Sequence, residues 1–134
     1  MNKIISLASE KPAPAVLIGM KAYNLNKLLQ LGFNVPSGFC ITSEVYHEHF
    51  NKSGIDKIEI NNSLSAEEKI NILNKIREKI INSPLNGNLK QEIEEHFHLL
   101  GSKSVAVRSS CTAEDLKKNS FAGQYDTFLG ITTV

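Results

Sequence analysis

Residues 105–131 read VAVRSSCTAEDLKKNSFAGQYDTFLGI, and this stretch decides how the whole chain is read. The apolar run Val105-Ala106-Val107 has the character of a buried strand, and it delivers Arg108 followed by Ser109 and Ser110. Further on comes Ser120-Phe121-Ala122-Gly123-Gln124, and a second strand-like run extends from Tyr125 to Thr132. An arginine at a strand end offers a planar fork of donors matched to phosphate oxygens. Hydroxyls beside it and a small-residue loop, where glycine lets backbone N–H groups approach an anion, complete a set of parts suited to a polyphosphate.

The rest of the chain frames that set. Its 134 residues are enough for one domain with a core, and 41% hydrophobic and 22% charged residues are ordinary for a globular protein. Fifteen basic residues nearly cancel 14 acidic ones, so the net charge of +1 argues against nucleic-acid binding by bulk electrostatics. Cys40 and Cys111 form no CxxC pair and read as reduced thiols. The N-terminal MNKIISLASEKPAP is too soon interrupted by charge and proline for a signal peptide, and no run approaches the ~20 apolar residues of a spanning helix. The expectation is a cytoplasmic protein with no membrane partner.

Reading backwards from residue 105, two helices come first. Ser65-Ala66-Glu67-Glu68 is a capping-box pattern, followed by an apolar stripe of Ile70, Leu73, Ile76 and Ile80. Pro84 marks a turn, Asn88 is a candidate cap, and Leu89, Ile93, Phe97 and Leu100 form a second stripe ended by Gly101. Both helices read as packing elements. Before them, Phe39-Cys40-Ile41 reads as a short buried strand, with Thr42 or Ser43 capping a helix that carries Val45, Tyr46, His49 and Phe50. Ile4 to Leu7 reads as a strand. Ala22, Leu25, Leu28 and Leu29 keep a helical rhythm, and Gly32 stands where a helix C-terminus favours positive φ. Lys21, in Gly19-Met20-Lys21-Ala22, therefore falls at or near the first turn of a helix.

Each candidate has a plainer alternative. Lys21 is either a cation at a turn-to-helix junction that favours anions, or a solvent-facing lysine. No GxxxxGK[ST] string is present. Arg108 either meets a ligand phosphate or pairs internally with Glu114 or Asp115. Ser109, Ser110 and Thr112 equally serve turns and caps, Gly123 a tight turn, and Thr127 an ordinary strand. The pairs His47/His49 and His96/His98 are spaced two apart on helices, which points them to different faces and suits no metal.

Three blocks, IGMKAYNL, GFNVPSGFCITSEVY and the 105–131 stretch, occur in order. Together they resemble the N-terminal ATP-binding domain of the phosphoenolpyruvate synthase and pyruvate phosphate dikinase family, which includes the rifampin phosphotransferases. The resemblance implies an ATP-grasp-type nucleotide domain, of which residues 1–134 are the first subdomain and a piece of something longer. The implied fold is α+β, a small mixed sheet with packed helices and a helical insert at about 65–100. By resemblance, Lys21 and Arg108 contact nucleotide phosphates, and Gly123 and Thr127 are further nucleotide contacts. Met20 and Ala22 stand where the family's turn carries glycines, and Cys111 where alanine is common.

The resemblance further implies a reaction in which ATP phosphorylates a histidine carrier that passes phosphate to a small acceptor such as pyruvate or an antibiotic. The second ATP-grasp half, with its Mg²⁺ ligands, and the phosphohistidine domain are expected outside this chain, in cis or in trans. The isolated chain is expected to be inactive. The alternative is a free-standing nucleotide-binding or interaction module without catalysis.

Overall fold

The structure, a computed structural model, describes residues 2–55, 61, 63–111 and 126–134. It is α+β, and the described chain falls into two compact units, residues 1–43 with 87–134, and residues 44–86. In the described residues the strands form two antiparallel pairs.

In the first unit β1 (Ile4–Ser6) pairs with β2 (Phe39–Ile41), in the register Ile4 to Ile41, Ile5 to Cys40 and Ser6 to Phe39. Helix α1 (Ala15–Gln30) follows the Pro12–Pro14 loop and is broken at Gly19, whose φ of 74° and ψ of 164° leave the helical region. A single turn therefore precedes Gly19, and the regular helix starts at Met20. The helix ends as Gly32 predicts. Gly32 takes φ 83°, its N–H donates to the Leu29 carbonyl (3.0 Å), and Phe33 N–H reaches back to Leu28 (3.0 Å). This is the paired-bond ending that a residue of positive φ makes possible.

Among the described residues of this unit, Ile18 and Ala22 on α1, Ile4 on β1 and Leu89 on α4 (Gly87–Leu99) are buried apolar side chains. Asn26 is buried with them, 2% exposed. Its amide group donates to the carbonyls of Leu7 (2.8 Å) and Ser9 (3.0 Å), and its Oδ1 accepts from Gln30 (3.1 Å). These bonds offset the desolvation of the amide and fix the loop after β1 on the helix. Phe39 meets the His96 ring at 5.4 Å, which sets α4 against β2.

Two expectations need correction here. Strand β3 (Val105–Arg108) forms, paired with β4 (Thr127–Ile131), but it is not buried. Val107 is 50% exposed, Phe128 57% and Leu129 75%. A two-stranded ladder with neither face fully covered by the described residues cannot bury its side chains. Nor does Thr42 cap α2 (Ser43–Lys52). Among the described residues its buried hydroxyl finds no hydrogen-bond partner, while the Ser43 hydroxyl donates to the Val16 carbonyl (3.0 Å).

The second unit holds most of α2 and all of α3 (Ala66–Asn82). The capping box forms as the sequence predicts. Ser65 Oγ accepts from Glu68 N–H (3.2 Å), and Glu68 Oε2 accepts from Ser65 N–H (2.8 Å). His49 Nε2 meets the Ile80 carbonyl (3.0 Å) and joins the two helices. The expected α3 stripe splits: Ile76 and Ile80 are half-buried, whereas Ile70 (58%) and Leu73 (55%) are exposed. The helix is covered along one narrow line only.

Candidate functional site

The site is built where α1 resumes after Gly19. Gly19 has the φ/ψ combination that only glycine adopts readily. A Cβ at this position would overlap the carbonyl and hydroxyl of Ser110. The missing side chain thus lets the chain just beyond β3, at Ser110, lie directly on the kink. Ser110 Oγ then accepts the Ala22 N–H at 3.1 Å across 88 residues of sequence.

Lys21 sits between these contacts, the second residue of the regular helix and half-buried. Its sequence placement in the first turn holds, although a further turn, from Ala15, precedes the break. The kink is also held from β2 and α2. The Cys40 thiol contacts the Ile18 carbonyl (3.4 Å), and Ser43 binds the Val16 carbonyl. Burial pushes the Cys40 thiol up to about 11, so it stays protonated as a donor at neutral pH.

Arg108 ends β3 and lies directly opposite Thr127, the first residue of β4. Directly opposed residues on an antiparallel ladder project to the same face. Guanidinium and hydroxyl therefore share one side of the ladder, at the end nearest Ser110. At the other end, the register shifts between Val105 and Val107, where Gly130 takes φ 68°. One extra residue on β4 is accommodated there as a bulge.

Three of the four predicted residues thus lie on linked segments: Arg108 pairs with Thr127, and the Ser110 hydroxyl joins the chain after the Arg108 strand to the Lys21 turn. Gly123 lies outside the described residues, as do Glu114 and Asp115, the alternative partners of Arg108. Sequence reasoning gave Ser110 only a weak role, and nothing local identifies its partner. The donor set of an ammonium, a guanidinium and a hydroxyl suits phosphate oxygens.

Among the described residues no group of three or more His, Cys, Asp or Glu is disposed to hold a metal ion. His49 is taken up by the Ile80 carbonyl, and His96 Nδ1 meets the Glu92 carbonyl (2.8 Å).

Residues 15–134 match the family model described as the pyruvate phosphate dikinase AMP/ATP-binding domain. The chain belongs to this family. Its family implies ATP as the ligand. Among relatives of this AMP/ATP-binding domain, a probable phosphoenolpyruvate synthase of Staphylothermus marinus is 38% identical over 130 residues, covering 87% of this chain and 16% of the relative. A phosphoenolpyruvate synthase of Helicobacter pylori is also 38% identical, over 86% of this chain and 16% of its own length. A rifampicin phosphotransferase of Bacillus subtilis is 34% identical, over 88% of this chain and 14% of its own length. The chain therefore spans about one-sixth of the length of these relatives, in which further domains exist. Among the described residues no helix is long and apolar enough to cross a membrane.

Proposed function

We propose that this chain forms one wall of the ATP site of a cytoplasmic dikinase-type phosphotransferase. Lys21 and Arg108 neutralise phosphate charge, Thr127 donates a hydroxyl hydrogen bond, and Gly123 gives main-chain access. The observation that carries this reading is the link from Ser110 to Ala22, because it joins the strand bearing Arg108 to the helix start bearing Lys21. The contribution of this chain to catalysis is positioning and charge stabilisation, which phosphoryl transfer chiefly demands. The histidine carrier, the acceptor, whether pyruvate or an antibiotic, and the Mg²⁺ ligands belong to segments beyond this ATP-grasp half.

Exposure sets what the chain does alone. A charge pair 4 Å apart is worth about 1 kcal/mol in bulk water and about 4 kcal/mol at an effective dielectric of ~20. Arg108 and Thr127 are both exposed, which puts this wall near the watery limit. The isolated chain accordingly binds ATP weakly, with a Kd of the order of 1 mM, and transfers no phosphate. Titration of MgATP by calorimetry tests this. Weak binding by the wild type that is lost in Arg108→Ala supports the proposal, and equal binding by both contradicts it.

A second reading keeps the nucleotide site without catalysis: a module that engages a separate partner. The exposed apolar residues Val107, Phe128 and Leu129 favour it. Phosphoryl transfer on mixing with a second ATP-grasp half would separate the two.

A further inference from the structure

We infer that Ser110 is a positioning residue for the phosphate wall: it caps the Lys21 helix from a distance and locks the two cation-bearing segments into one unit. The inference rests on the proposed nucleotide reading. A helix begins with N–H groups that lack intrahelical partners, and the residue before its first turn usually supplies a side-chain oxygen to the third of them. In the regular helix after the kink, that capping position is Gly19, which has no side chain. The third N–H is that of Ala22, and Ser110 Oγ accepts it at 3.1 Å.

Glycine at 19 serves both sides of this exchange. It takes the kinked conformation, and it vacates the space that the Ser110 carbonyl and hydroxyl occupy. The cap therefore comes from the segment just beyond β3, 88 residues away. Ser110 is two residues beyond Arg108 and bonds the residue next to Lys21. A displacement of the Arg108 strand is transmitted to the start of the Lys21 helix through this bond and through the packing of Ser110 on Gly19. Loss of the hydroxyl leaves both cations in place but loosens the coupling between them. Ser110 itself touches no phosphate in this account and acts through Lys21.

A double-mutant cycle on the 134-residue chain tests the inference, with MgATP as the probe and Kd as the readout. Ser110→Ala is expected to weaken binding about tenfold in the wild-type background and less than about twofold when Lys21 is already Ala. A purely structural loss would appear equally in both backgrounds and would overturn the inference. So would a Ser110→Ala chain that binds as tightly as the wild type. If the wild type binds no MgATP, the nucleotide reading fails and takes this inference with it. Amide hydrogen exchange on the unliganded wild type adds a test that needs no variant. The Ala22 amide should exchange at least about 100-fold more slowly than an unstructured amide, and an unprotected Ala22 amide would contradict the cap directly.

Discussion

Gly19 and Ser110 are fitted to each other: the carbonyl of Ser110 stands where a side chain at residue 19 would have to be. The consequence is a sharp intolerance at position 19. Gly19→Ala meets a glycine-only backbone conformation and a collision with backbone rather than with a movable side-chain tip. Strain of the first kind alone costs about 1–3 kcal/mol. The variant should be destabilised by at least about 2 kcal/mol in urea unfolding, and the Ser110–Ala22 bond should be lost. Wild-type stability in Gly19→Ala would mean that the kink is not as described.

The start of α3 responds to acid. Hydrogen bonds from the Ser65 backbone and side chain hold the Glu68 carboxyl below its ordinary value of 4.5. A carboxyl whose folded pKa is lowered contributes stability above its unfolded pKa and loses it as pH falls through the folded one. Helicity at residues 66–69 should therefore be constant above pH 5 or so and decline below about 4.5, as followed by backbone chemical shifts. Ser65→Ala, which removes the hydroxyl that accepts the Glu68 N–H, should lower helix stability by about 1 kcal/mol and weaken the acid dependence without abolishing it, because the Ser65 N–H still donates to the Glu68 carboxylate; Glu68→Gln should abolish it.

Cys40 should be a slow thiol. Burial raises its pKa to about 11 from 9.0, so little thiolate forms at pH 8. The greater intrinsic reactivity of a more basic thiolate recovers part of that deficit. Alkylation of Cys40 by iodoacetamide at pH 8, followed by mass spectrometry, should run at least about tenfold slower in the folded chain than in urea. Protonation of this thiol contributes stability that is complete below pH 9 and declines as pH rises toward 11. Equal rates in the folded and unfolded chain would remove Cys40 from the set of groups holding the kink.

Local signals were legible in the sequence because both partners lie within one turn. The Ser65–Glu68 box and the Gly32 helix ending are of this kind, and both appear as predicted. The first-turn position of Lys21 is readable from the apolar rhythm that begins at Ala22. Contacts across the chain are not. The buried face of α1 includes Asn26, which no apolar stripe reveals, because its partners are carbonyls of a distant loop. Ser110 reads locally as an ordinary turn residue, because its partner Ala22 lies 88 residues away. Apolar composition also misleads about burial. Val107 and Leu73 read as core, yet each is about half exposed, because composition cannot say whether the facing surface is supplied within the described residues.

In the proposed function Lys21 and Arg108 bind the phosphates of the same nucleotide. ATP protection of Lys21 tests it most directly. The chain is treated with an amine-reactive reagent across a range of MgATP concentrations, and modification of Lys21 is read by mass spectrometry against Lys90 on α4 as an internal control. The account predicts that saturating MgATP slows modification of Lys21 at least about fivefold and leaves Lys90 unchanged, and that Arg108→Ala shifts the protection to about tenfold higher nucleotide. Modification of Lys21 at the same rate with and without bound MgATP would contradict it.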